Sequence, residues 1–148
     1  MKVFHQYGTK ERLLEMFVRV NKLDEAALAK EMKESIIDEF INNANSFLEM
    51  GDEGPNVTIS YDPTEAAEMA SFGLYTPDSG DIRVVATNRN LADVLRTLAH
   101  EMVHFKQHKD GRLNADSNGD GSEIENEANA QAAIIMRMFG RENPIIFE

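Results

Sequence analysis

Apolar positions recur with a helical period in four stretches of the chain. Within residues 10–20, Leu13, Leu14, Phe17 and Val18 share a helical face, and Thr9 stands where an N-cap belongs. Residues 24–50 carry a longer stripe. Leu28, Met32, Ile36, Phe40, Ala44 and Leu48 run at i, i+4, and Ile37, Ile41 and Phe47 widen it. Gly51 and Gly54-Pro55 predict where that helix stops. A third helix is predicted over residues 91–108, opened by Asn90, with Leu91, Val94, Leu95, Leu98, Met102 and Phe105 on its apolar face. A fourth is predicted over residues 123–139, with Gly140 as its stop.

The middle of the chain changes period. Val57, Ile59 and Tyr61 alternate with Thr58 and Ser60, the pattern of a half-buried strand. Asp62-Pro63 turns the chain before a short helical turn over residues 65–69. Residues 71–76 and 81–87 flank Pro77-Asp78-Ser79-Gly80, a hairpin signal. The strand over 81–87 is expected at a sheet edge, open to pairing with an extended peptide. Helices, then strands, then helices predict an α+β fold for residues 1–148, read as a single domain with a small, mostly antiparallel sheet. Eight Met residues fall mostly on apolar helix faces, as core filler.

Composition narrows the function. The formal charge is -11, from 26 acidic and 15 basic side chains. Such a surface repels phosphate, so neither nucleic acid nor an anionic membrane is expected as partner. Trp is absent, which removes the best stacking platform for single strands. Cys is absent, excluding a disulfide scaffold and a thiolate zinc site. Residues 1–10 do not read as a signal peptide and no apolar run is long enough to span a bilayer, so a cytoplasmic protein is expected.

One motif carries chemistry. His100-Glu101-Met102-Val103-His104 is H-E-x-x-H on a predicted helix. Residues four apart lie on one helix face about 6 Å apart along the axis. Two imidazoles there can reach one Zn2+ ion at about 2.1 Å. Glu101 stands beside the metal, where a carboxylate can take a proton from water. A catalytic zinc needs a third protein ligand. His108 is about 12 Å along the axis from His100, too far for one ion, and suits the helix end instead. Asp110 sits at a spacing used by one zincin class, but that class bends the chain with a Gly where this chain has Gln107. His5 is remote in sequence. On the fourth helix Glu125 and Asn129 share a face, beside the small Ala128 and Ala132. Glu125 can bind zinc while Asn129 orients a ligand. Ser122-x-x-Glu125 is equally a capping box. Tyr75 and Arg96 are candidates for stabilising an oxyanion.

H-E-x-x-H followed by a downstream helix of the form E-x-x-A-[ND] resembles the gluzincin metallopeptidases. The resemblance implies a zincin-like fold with His100, His104 and Glu125 on Zn2+, Glu101 as general base and Asn129 in support. The family often has Asp where this chain has Asn129. Residues 88–101, 124–130 and 137–148 also resemble small peptidases of tailed bacteriophages, and residues 11–17 are similar to their opening helix. The implied activity is hydrolysis of a peptide or protein substrate, in the host cytoplasm for a phage protein. The alternative is an inactive domain that zinc holds together for binding a partner.

A second metal pattern lies between the third and fourth helices. Asp116, Asn118 and Asp120-Gly121, with Glu127 at the twelfth position, match a calcium loop. Glu123 stands at the eighth position, where an apolar residue is usual. Asp, Asn and Gly are also ordinary turn residues, and the turn is the favoured expectation over a Ca2+-binding helix-loop-helix module.

Overall fold

The computed structural model describes residues 25–69, 71–112 and 122–147. The predicted helix over 10–20, His5 and the loop positions Asp116, Asn118 and Asp120 lie outside them. Contacts divide the chain into two units, one ending at Asn43 and one beginning at Ala44.

Four α-helices, a three-stranded sheet and a closing 3-10 turn make up the described residues, an α+β fold. In order they are α1 (Glu25–Phe47), β1 (Asn56–Ser60), α2 (Pro63–Glu68), β2 (Gly73–Thr76), β3 (Asp81–Val85), α3 (Leu91–Lys109), α4 (Glu123–Glu142) and the 3-10 turn Pro144–Phe147. Helix α1 buries Ile36, Ile37, Phe40 and Ala44, the stripe its periodicity predicts. It ends short of the expected residue 50. Glu49 takes a left-handed φ of 56° and Gly51 one of 59°, which turn the chain before the Gly-Pro pair.

The strand order is β1-β3-β2. β1 runs parallel to β3, and β2 runs antiparallel to it across the predicted hairpin. The sheet is therefore mixed rather than mostly antiparallel. The physical reason is that α2 intervenes between β1 and the hairpin and carries the chain back across the sheet. β3 is the central strand, not an edge. Its Ile82, Val84 and Val85 are buried, and both its neighbours hydrogen-bond to it. Among the described residues β2 has a partner on one side only.

Helix α3 begins as read from the sequence, with the Asn90 side chain accepting from the Asp93 amide. It packs Val94, Leu95, Leu98, Met102 and Val103 into the interior. It contacts β2, β3 and, most extensively, α4. Ala128 and Ala132 of α4 are buried and let the two helices approach. α4 runs through Gly140 to Glu142 rather than stopping there. A Cβ on Gly140 would lie 2.5 Å from the Phe147 ring, so this glycine makes room for the closing turn. No described helix is long and apolar enough to cross a membrane.

Candidate metal centre

His100 and His104 project from one face of α3 because they are four residues apart. α4 enters opposite them, its start fixed by Ser122, whose hydroxyl accepts from the Glu125 amide at 3.1 Å. That first turn carries the Glu125 carboxylate to the two imidazoles. Its Oε2 lies 3.0 Å from His104 Nε2 and 3.3 Å from His100 Nε2, and the two Nε2 atoms are 3.1 Å apart. These three residues form a group able to hold a metal ion. Ligand atoms about 2.0–2.1 Å from a tetrahedral zinc stand roughly 3.3 Å apart, close to the edges of this triangle. Nitrogen and carboxylate oxygen donors without sulfur suit a borderline cation such as zinc.

The candidate ligands have neighbours of their own. His104 is 8% exposed, and its Nδ1 lies 2.8 Å from Gln107 Oε1. Asn129 lines the cleft together with His100. Burial lowers the proton affinity of His100 below its ordinary value, and His104 adds to that, against the pull of Glu125 and Asn129. The neutral imidazole that a metal requires is thus favoured.

Glu101 lies beside this triangle, against β2. Its Oε2 is buried with no hydrogen-bond partner. Burial raises its carboxyl above the ordinary carboxylate range; His104 opposes the rise and Glu125 reinforces it. The fit against the sheet is close, since a Cβ on Gly73 would lie 2.6 Å from Thr97 Cγ2 and 3.1 Å from Glu101 Cγ. A cleft of about 430 Å³ opens here. His100, Glu101, Glu125 and Asn129 form its floor with Arg96 and Thr97, and Ser71, Phe72 and Gly73 of the β2 approach form the other wall.

Other sequence candidates lie elsewhere. His108 Nδ1 is 2.7 Å from the Tyr75 hydroxyl, and neither residue lines the cleft. Asp110 caps α3, with its carboxylate 3.5 Å from Lys106. Glu127, the last position of the calcium pattern, receives both guanidinium nitrogens of Arg112, at 2.6 and 2.9 Å, and the Gln107 amide at 3.0 Å. Arg112 holds its proton affinity below the ordinary value. The sequence reading offers neither Phe72 nor Gln107 as a site residue. Phe72, with Arg89 stacked 4.2 Å over its ring, forms part of the cleft wall. Gln107 lies three residues after His104 and seven after His100, a same-face spacing that was the available signal.

Comparison with family models, with curated proteins and with solved structures finds no match.

Proposed function

We propose that this protein hydrolyses peptide bonds with one zinc ion held by His100, His104 and Glu125, in a small zincin-like arrangement with a gluzincin-type ligand set. The observation that supports it most is the convergence of those three donors at tetrahedral spacing, with Glu101, one of whose carboxylate oxygens is buried without a partner, lining the same cleft. Zinc in such a set polarises a carbonyl and makes water easier to deprotonate near neutral pH. Glu101 takes the proton from the attacking water at its carboxylate and returns it to the leaving amine. β2 replaces the 81–87 strand as the edge that an extended substrate joins, because β3 is enclosed on both sides. Arg96 lines the same cleft, its guanidinium paired with Asp93 at 2.8 Å.

The test is cleavage of an unstructured protein and of a mixed peptide library by zinc-loaded protein. Glu101→Gln is expected to keep its zinc and to lose about 10²–10⁴-fold in rate. Full activity in that variant, or no cleavage by the native chain, contradicts the proposal.

A further inference from the structure

Gln107 is 1% exposed, yet its carboxamide makes three hydrogen bonds. The Ile124 carbonyl at 3.1 Å and the Glu127 carboxylate at 3.0 Å can only accept, so the amide nitrogen must face them. The amide oxygen is then left to His104 Nδ1 at 2.8 Å. An amide oxygen only accepts, so Nδ1 carries the proton. A neutral imidazole has one N–H, and the lone pair is therefore on Nε2, the atom facing His100 and Glu125. Behind Gln107, Arg112 grips Glu127 through two contacts and holds the acceptor in place.

We propose that Gln107 is a positioning residue for the metal. It locks His104 in the Nδ1–H form and ties that ligand to the start of α4, the helix that supplies Glu125. The proposal rests on the metal centre described above. A Gln serving only to fill space would be replaceable by an apolar residue of similar size with no effect on zinc. An amide that sets the tautomer and ring angle of a ligand is not, and losing such a partner weakens metal binding about 10–100-fold.

The experiment measures the zinc dissociation constant by competition with a chromophoric chelator, and the urea midpoint of the metal-free protein. Two variants are compared with the native chain: Gln107→Leu, and Gln107→Glu combined with Glu127→Gln. The double change keeps an acceptor for His104 and reverses the donor and acceptor across the 107–127 contact, but gives up the hydrogen bond to the Ile124 carbonyl, a loss that the urea midpoint reads separately from zinc affinity. Gln107→Leu is expected to bind zinc 10–100-fold more weakly and the double variant to stay within about threefold of native. Native affinity in Gln107→Leu, or equal weakness in the double variant, overturns the proposal. If Gln107→Leu does not fold, the double variant decides alone, and a loss of about tenfold or more in it overturns the proposal. A native chain that takes up no zinc overturns the metal centre itself, and this role with it.

Discussion

Glu101 keeps a buried carboxylate oxygen without a partner, an arrangement that costs roughly 1–3 kcal/mol when nothing answers it. Thr97 and Glu101 face β2 where Gly73 has no side chain, and that contact holds the carboxylate against the sheet. Asn129 lines the cleft with His100 and is the polar neighbour able to orient its ring. Asn129→Ala is expected to weaken zinc binding by about tenfold or more while leaving the fold intact, and Asn129→Asp to match or exceed native affinity. Chelator competition measures both. Equal affinities in all three proteins would remove Asn129 from the site.

At the scale of elements, periodicity and capping made α1, α3 and α4 legible. The hairpin was legible from Pro77-Asp78-Ser79-Gly80, and Gly80 takes the left-handed φ of 73° that such a turn uses. The His pair and its Glu neighbour were legible because their chemistry is written in local spacing. Glu125 was legible only through resemblance, since as a capping-box residue and as a ligand it has the same sequence signature. Strand order was not legible. Period-two alternation marks which face of β3 is buried but not which strands flank it, and all of β3's exposed positions fit an edge as well as a centre. Gly140 reads as a stop signal in the sequence, but α4 continues to Glu142 because the missing side chain serves the packing of Phe147. Gly73 is the comparable position in the sheet. Gly73→Ala forces β2 away from α3 and is expected to destabilise the protein by about 1–3 kcal/mol, with reduced hydrolysis because Glu101 shifts too. Urea unfolding and the hydrolytic rate check this, and an unchanged urea midpoint would mean the strand yields freely.

Across the whole molecule, the sheet and helices are joined by a few ion pairs whose carboxylates share one pH dependence. Glu65 of α2 pairs with Arg83 of β3 and receives the Ser60 hydroxyl of β1 at 2.9 Å. Hydrogen bonding from Arg83 lowers its carboxyl from 4.5 to about 2. Glu53 and Glu127 are lowered by Lys109 and Arg112. At these three carboxylates the folded chain thus binds fewer protons than the unfolded one, and the stabilisation they give, full above the ordinary carboxylate value, is lost as pH falls through this window. Urea midpoints are expected to drop between pH 4.5 and about 2, and Glu65→Gln to drop less steeply. Parallel curves for the two proteins would show that the Glu65–Arg83 pair contributes nothing to acid stability. The candidate metal centre draws side chains from both α3 and α4, so its occupancy is the claim on which the functional account depends. The most direct measurement is zinc per chain by mass spectrometry after zinc loading and dialysis, for the native protein and for His104→Ala. One zinc per native chain, absent from the variant, is the result predicted. A native chain that retains none, or a variant that retains as much, would contradict the account.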